Sequence, residues 1–275
     1  MAMVINTNMA SLNAQRHLSG SQSKLAKSME RLATGKRINS GQDDAAGLGI
    51  SSRLGGKIRA LNQSVRNAND GISMAKAGDG ALAEVSNMLE RMRELINQKG
   101  DGALSATDVE AINVEMSSLA AEIINVVNNT KFNAKNLLSG DIVAGSTEDG
   151  YDFVVGENGD NTGETFELKI TGFGTANADL TVGRNSTATE IEDAIDSVST
   201  ARGEFGTAIT VLESRAKNSA ALAENLSAAR SQILDADIAA ETAEMTKANV
   251  LQQAGVSILA QANQSPQTVL SLLQG

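Results

Sequence analysis

Apolar residues recur along most of the chain at alternating steps of three and four, which predicts amphipathic helices packed side by side. The densest run has its apolar positions at Ile58, Leu61, Val65, Ala68, Ile72, Ala75, Leu82, Leu89, Met92 and Ile96. A second run covers residues 109–126, after a turn at 99–107 in which Ser105 or Thr107 can cap the next helix. The pattern returns between residues 191 and 238. These runs predict a long helical bundle.

The two ends of the chain carry thinner apolar stripes than the middle. Leu18, Leu25 and Leu32 stand at one heptad position near the N-terminus, among Ser, Asn, Gln and Ala. The stretch after residue 235 has the same character. A lone helix with so narrow a stripe is marginal in water, because most helical stability comes from burying a face. The two ends are therefore expected to pair with each other and with neighbouring copies.

A different pattern occupies the middle of the chain. Alternating apolar and polar residues at YDFVV (151–155) and TFELKITGF (165–173) predict two strands, and the glycine- and asparagine-rich stretch between them predicts a turn.

Taken together, the helical runs and this one hairpin predict a fold that is mainly α. It is a long antiparallel helical bundle or coiled-coil rod with a small central β-hairpin, and its terminal helices pair on assembly.

Residues 28–54 interrupt the helical pattern with residues that end and start helices. The glycines weaken a helix locally, and they stand at Gly35, Gly41, Gly47 and Gly49. Side chains of the type that accepts hydrogen bonds from free amides at a helix start follow at Ser40, Asp43 and Asp44. This stretch predicts a joint between two helices, with Lys36 and Arg37 beside the acidic pair.

Composition removes several classes of function. The chain has no Cys, so disulfides, thiolate metal sites and thiol catalysis are excluded together. A net charge of −10 disfavours general binding to nucleic acid or to an acidic membrane. No stretch approaches the roughly 18 apolar residues that cross a bilayer. The N-terminal sequence MAMVINTNMASLNAQ lacks the basic opening and apolar block of a cleaved secretory signal.

Candidate residues for catalysis or metal binding are few. His17, the single histidine, lies in a thin-stripe helix, where an exposed or interfacial role is favoured over catalysis. Asp43 and Asp44 are neighbours whose side chains point in different directions on a helix, so capping is favoured over an acid pair. The acidic residues of 146–164 lack the spacing of a calcium loop and suit a solvated hairpin tip. We predict no catalytic, cofactor or metal site, and no enzyme activity.

Many separate motifs resemble the terminal regions of bacterial flagellins. In the N-terminal half they are INTN (5–8), SLNAQ (11–15), SQSKL (21–25), RLATGKRINS (31–40), DDAAGLGIS (43–51), NDGIS (69–73), LERMRELINQ (89–98) and NNTKFNAKNLLSG (128–140). Residues 224–275 are similar to the flagellin C-terminus almost throughout. Two motifs depart from the family pattern: KGDGA (99–103) stands where NG is usual, and Ala134 replaces the glycine usual in FNAKNLL. In addition, GDG (78–80) is unusual for the interior of a long helix, and the helical pattern gives no reason for it.

The resemblance implies a structural subunit of the bacterial flagellar filament, which propels swimming. It implies an inner-tube domain at residues 1–34 and 236–275, a spoke at 35–49, a helical rod at 50–140 and 189–235, and a short hairpin insert at 141–188. Such an insert leaves no room for large outer domains. Export through the flagellar type III apparatus and a secreted, extracellular location are also implied. The implied partners are further copies of the chain, the export apparatus, an export chaperone, the filament cap and hook-associated junction proteins.

Two alternatives compete with the filament subunit. A flagellin-like junction protein between hook and filament would share both ends of the chain but occur in few copies. An enzyme-bearing flagellin would need a catalytic insert, and residues 141–188 are too short for one and lack His and Cys.

Two sets of site residues follow from the joint and from the resemblance. The first set would make spoke and subunit contacts, and its members are Lys36, Arg37, Asp43 and Asp44. Some flagellins are recognised by a Toll-like innate immune receptor, and the second set resembles that contact pattern with Arg91, Leu95, Glu115, Ile191 and Ile195. The same five residues equally suit contacts inside the bundle or between subunits.

Overall fold

The computed structural model describes residues 8–138, 151–156, 165–168, 182–184 and 186–274. Within them the chain is mainly α-helical, as the periodicity predicts. The helices are α1 (Met9–Thr34), α2 (Gly41–Lys99), α3 (Ala106–Asn129), α4 (Ala188–Leu234) and α5 (Ile238–Gln274). Two antiparallel strand pairs stand between α3 and α4: β1 (Lys131–Phe132) with β2 (Lys135–Asn136), and β3 (Tyr151–Val154) with β4 (Thr165–Leu168).

The chain divides into two compact units. The terminal unit comprises Met1–Gly55 and Leu226–Gly275, and the central unit comprises Gly56–Asn225. The limit in α2 falls later than the predicted start of the rod at residue 50, and the limit in α4 falls earlier than its predicted end at residue 235. The predicted domains are layers of an assembled filament. A single chain does not test such layers, so the predicted division stays a prediction.

The central unit is built on α2, α3 and α4, which enclose its main apolar core. Contacts between Ser64 and Ser219 and between Gly78 and Phe205 show that α2 and α4 run antiparallel. The largest fully buried side chains come from all three helices and from the segments that follow α3, and they are Phe205, Met74, Leu82, Leu89, Met92, Leu95, Met116, Ile123, Leu137, Leu138 and Leu168. The run of apolar positions in α2 therefore marks the core, as the pattern predicts.

Gly78 has a packing role in the middle of α2. The ring of Phe205 on α4 lies where a side chain would start, because a Cβ on Gly78 would stand only 2.7 Å from Cε1 of Phe205. Beside it, Arg202 Nε donates a hydrogen bond of 2.8 Å to Asp79 Oδ1. The GDG motif, for which the helical pattern alone gives no reason, thus fixes where α2 and α4 meet.

The start of α3 is capped as the turn residues predict. Ser105 is the N-cap, and its hydroxyl accepts a hydrogen bond from the amide of Asp108. The Asp108 carboxylate accepts a bond of 3.0 Å from the Ser105 amide, which completes a reciprocal pair of the capping-box type. The bonds from Ser105 hold the pKa of Asp108 below its ordinary value.

The β1–β2 hairpin turns through Asn133 and Ala134, which the sequence pattern does not predict. Both residues have positive φ, 49° and 67° respectively. Two-residue turns of this kind require positive φ at both positions, and glycine is the residue that adopts it without strain. The departure from the flagellin motif at Ala134 therefore falls on a strained backbone position.

The β3–β4 pair confirms the predicted central hairpin. Phe153 is paired with Phe166 across the two strands. Asn67 of α2 donates a hydrogen bond of 2.9 Å to the Val154 carbonyl, and the Arg215 guanidinium of α4 lies 5.6 Å from the centre of the Phe166 ring. The hairpin is thus held to both helices. Its turn, residues 169–173 and most of the predicted insert at 141–188 lie outside the described residues.

Candidate functional site

The terminal unit is built on α1 and α5, which pack along each other in opposite directions. Ser11 near the start of α1 donates a hydrogen bond of 2.8 Å to Asn263 near the end of α5. At the other end, the Arg31 guanidinium lies 3.6 Å from the Glu241 carboxylate. The two ends of the chain therefore pair within a single copy.

The interface between α1 and α5 fully buries only small residues of α1, partly buries the leucines of its apolar stripe, and leaves other large apolar side chains exposed. The buried residues of α1 are Ser11, Ala14 and Ser28. Large apolar side chains with more than a third of their surface exposed stand on both helices, and we call this set the terminal apolar face: Met9, Leu12, Met29, Ile238, Val250, Leu251, Val256 and Ile258. Exposure reaches 60% at Val250. Concentrations of exposed apolar surface on soluble proteins usually mark a surface that binds another molecule.

A shallow groove of about 520 Å³ runs between the two helices. Its walls include Leu18 of α1 and Ala248, Leu251 and Ile258 of α5. His17 lines its edge and is exposed, which agrees with the predicted exposed or interfacial role. Among the described residues, no three His, Cys, Asp or Glu side chains are grouped so that they could hold a metal ion. Nor does any helix in the described ranges combine the length and apolarity needed to cross a membrane.

Asp43 is the charged centre of the joint between α1 and α2. Lys27 of α1 places its ammonium 2.7 Å from Asp43 Oδ1, and the amides of Asn39 and Ser40 each donate to Oδ2 at 3.2 Å. The Lys27 ammonium first, and then the Asn39 amide, hold the pKa of the Asp43 carboxyl well below its ordinary value. The carboxylate thus ties the end of one helix to the start of the next.

Asp44 caps the long helix that follows. Its backbone is extended, with φ −165° and ψ 100°, and its Oδ1 accepts a hydrogen bond of 2.8 Å from the amide of Gly47. Continuous helical geometry in α2 therefore begins after Asp44. At the end of α1, Gly35 adopts a left-handed conformation with φ 68°, which favours glycine at this position. Both residues have the local roles that the joint predicts.

Lys36 and Arg37 lie against the connection between α4 and α5. Lys36 is opposite Asp235 in a short antiparallel bridge. The Arg37 amide donates to the Leu234 carbonyl at 2.7 Å, and its guanidinium donates to the Ile233 carbonyl at 2.7 Å. Arg37 therefore satisfies carbonyls in the last turn of α4, which a helix leaves without internal partners. We call this contact the connection bridge. Pairing of Lys36 and Arg37 with acidic groups of neighbouring copies stays a prediction.

The structure separates the five residues that resemble a receptor contact. Arg91 and Glu115 are exposed and joined, with Arg91 Nε and Nη2 each 3.1 Å from Glu115 Oε1. Glu94 and Glu115 raise the pKa of Arg91. Leu95 and Ile191 are 1% and 0% exposed, because they belong to the core of the central unit. Both side chains are therefore inaccessible to a receptor, and they can only pack beneath the exposed residues that would touch it.

Ile195 is half-buried and packs against the same core. The exposed part of the predicted set is therefore the pair of Arg91 and Glu115. Recognition by a receptor stays a prediction.

Sequence reasoning missed the polar contacts that hold α1 against α5. Ser11 and Asn263 are ordinary polar residues in helical stretches, and nothing in the sequence links two positions so far apart. Gly255, which lies against Leu18, carries the one available signal, because it is a glycine at an inward position of a helix.

A mainly helical chain whose two ends pair and keep an apolar face exposed defines a self-assembling structural protein. The model for the bacterial flagellin N-terminal helical region matches residues 5–142, and the model for the bacterial flagellin C-terminal helical region matches residues 188–273. The chain belongs to the bacterial flagellin family, as the motifs indicate, and is a structural subunit of the flagellar filament.

Individual relatives are similar to this chain over nearly its whole length. The flagellin of Bacillus subtilis (strain 168) is 38% identical over 99% of this chain and 100% of its own length. The flagellar filament 33 kDa core protein of Treponema phagedenis is 35% identical over the same shares. The crystal structure of Bacillus cereus flagellin is 25% identical with a TM-score of 0.36, and the match covers 58% of this chain and 88% of that one. The similarity to full-length filament proteins favours a filament subunit over a junction protein.

Proposed function

We propose that this chain polymerises outside the cell into the helical flagellar filament, and that the terminal apolar face is the principal surface through which copies join. The exposure of large apolar side chains along α1 and α5 carries this proposal. The single chain leaves this apolar surface in water, and burying such surface is worth about 25 cal/mol per Å².

The geometry of the face indicates the kind of polymer. Met9, Leu12 and Met29 lie on α1, whereas Val250 and Val256 lie on α5, so different surfaces are available to different neighbours. Contacts between unlike surfaces generate a helix whenever the rotation does not close into a ring. Folding of the ends is then coupled to binding, since each end gains most of its buried surface only in the polymer.

Family membership supports the remaining parts of this proposal. In the filament, residues 1–34 and 236–275 would form the inner tube, residues 35–49 the spoke, and residues 50–140 and 189–235 the surrounding rod. The chain would leave the cell through the flagellar export apparatus with an export chaperone, add beneath a cap, and meet hook-associated junction proteins at the base.

The exposed pair of Arg91 and Glu115 supports recognition by a Toll-like innate receptor. Replacement of Arg91 by alanine should then weaken signalling in a receptor-reporter cell assay, and an unchanged response would remove the receptor role.

The test of the assembly surface is a charged substitution in the terminal apolar face. Val250→Asp should raise the critical concentration for polymerisation at least about tenfold, because an unpaired buried carboxylate costs several kcal/mol. Sedimentation of the polymer and electron microscopy provide the measurement, and circular dichroism of the soluble chain checks that it still folds.

Val114→Asp is the matched control, because Val114 is a valine of the central unit with 58% exposure. It should affect polymerisation less. Equal effects of the two variants would contradict a principal role for the terminal apolar face. A separate check distinguishes filament from junction: the chain should be the major band in sheared filaments.

A further inference from the structure

The residues of α1 that face α5 alternate in size. One heptad position of α1 holds leucines, at Leu18, Leu25 and Leu32, and the other holds small residues, at Ala14, Ser21 and Ser28. Between residues 14 and 28 these positions are buried or partly buried, and every other residue is exposed. The thin stripe of the sequence is therefore a regular series of large and small side chains.

The inward positions of α5 carry the complementary series. Between residues 245 and 262, one heptad position holds small residues, at Ala248, Gly255 and Ala262, and the other holds Met245, Gln252 and Leu259. All six positions are buried or partly buried. Two antiparallel helices with such series can place each large residue opposite a small one.

Contacts in the structure show which alignment occurs. Leu18 lies against Gly255, where a Cβ would stand 3.4 Å from Leu18 Cδ1 and 3.8 Å from Leu18 Cβ. One heptad forward of Gly255, the Ala262 carbonyl accepts a hydrogen bond of 2.7 Å from Asn8 Nδ2, which precedes the start of α1. The same alignment brings Ser11 to Asn263.

We propose that Leu18 and Gly255, together with Ser11 and Asn263, determine the register of α1 on α5. A slip of half a heptad would bring Leu18 against Leu259 and leave small residues facing each other elsewhere. A slip of a whole heptad keeps the sizes matched but separates Ser11 from Asn263. The size series thus excludes the first kind of slip, and the polar pair excludes the second.

This inference rests on the proposed function, since a polymer needs a terminal apolar face of one fixed shape. It goes further by naming the residues that fix that shape. A chain with the wrong register would present the same side chains in a different arrangement, and its neighbours would not fit.

Disulfide formation can read the register directly, because the chain has no Cys of its own. The alignment of Leu18 with Gly255 places Ser21 opposite Gln252, and neither residue is one of the proposed register determinants. A chain with Ser21→Cys and Gln252→Cys therefore reports the observed register, and one with Ser21→Cys and Met245→Cys reports a slip of one heptad. The rate of intramolecular disulfide formation is measured on the polymer, or on the soluble chain if no polymer forms. The first pair should link at least about tenfold faster than the second. Equal rates would overturn the proposal.

A size exchange then tests the role of Leu18 and Gly255. Gly255→Leu should lower the preference for the observed register about tenfold, because two leucines cannot occupy one space. Leu18→Ala combined with Gly255→Leu should restore it, whereas Gln253→Leu, which adds the same bulk at an exposed position of α5, should leave it unchanged. A double variant no better than Gly255→Leu alone would overturn the proposal.

Measuring both disulfide formation and polymerisation distinguishes a failure of the register assignment from a failure of the proposed function. A chain that forms the observed disulfide but never polymerises contradicts the proposed function and leaves the register assignment standing. A chain that polymerises with equal linkage of both cysteine pairs contradicts only the register assignment.

Discussion

Helices pair in both units of this chain, but they enclose different side chains. In the central unit, α2, α3 and α4 close over large residues such as Phe205, Leu82 and Met92, all fully buried. In the terminal unit, the fully buried residues of α1 are small, such as Ser11 and Ala14, and large residues such as Met9 and Leu12 are exposed. The same spacing of three and four therefore has two outcomes. In the central unit the apolar side chains form a core, and in the terminal unit many of them remain exposed.

The difference follows from how much apolar area each unit removes from water by itself. A helix gains most of its stability from the face it buries, so a pair that buries serine and alanine is weak alone. The central unit needs no partner to close its core. We predict that the terminal unit becomes fully ordered only when other copies cover its apolar face.

The largest expected effect separates the two units by truncating one large side chain in each. Phe205→Ala should lower the free energy of unfolding of the soluble chain by about 3–5 kcal/mol, because it opens a cavity against Gly78. Urea unfolding followed by circular dichroism measures it. Leu12→Ala, in the terminal apolar face, should cost under about 0.5 kcal/mol in the same assay. A comparable loss from Leu12→Ala would mean that the terminal unit has a complete core of its own.

A smaller change should stabilise the central unit without touching assembly. Ala134→Gly removes the strain of a positive φ at the β1–β2 turn and should raise the free energy of unfolding by about 0.5–1 kcal/mol. Ala111→Gly, the same substitution at an exposed position inside α3, should lower it by about 1 kcal/mol. If Ala134→Gly also destabilises the chain, the turn is not strained. An unchanged critical concentration for polymerisation would sharpen the separation between folding and assembly.

The smallest effect concerns charge in the terminal unit. Since the folded pKa of Asp43 lies below its ordinary value of 3.8, its contribution to stability is fully present above about pH 3.8 and disappears as pH falls through the folded pKa. Lys27→Ala removes the largest cause, so the pKa of Asp43 should rise toward the ordinary value. Carboxyl carbon shifts in an NMR titration measure it. Lys24→Ala, one turn earlier in α1, should leave the pKa unchanged, and an equal rise in both variants would indicate general screening instead of a specific pair.

Much of this fold can be predicted from local sequence patterns. The helices, the cap at Ser105, the central hairpin and the joint at Asp43 and Asp44 all follow from residue types and spacing, because the interactions that form them are only a few residues apart. The sequence also indicates that both ends need partners, because a narrow apolar stripe can be recognised even when the partner is unknown.

Contacts between distant parts of the chain could not be predicted in this way. The close approach of Gly78 to Phe205 and the bond from Ser11 to Asn263 depend on which helices meet, and a periodic pattern states only that some partner exists. Leu95 illustrates the same limit. The predicted apolar run includes Ile96 and omits Leu95, and the motif resemblance placed Leu95 in a receptor contact, whereas the structure buries it in the core of the central unit.

The connection bridge has a mechanical consequence for a polymer that transmits torque. Arg37 donates from the connection between α1 and α2 to the last carbonyls of α4, and the Ala236 amide donates to the Gly35 carbonyl at 3.0 Å in return. A pull on α1 therefore reaches α2 through the covalent chain and α4 through these hydrogen bonds. Two long helices share the load where each terminal helix is attached, so neither connection has to bear the full tension as a single unsupported strand.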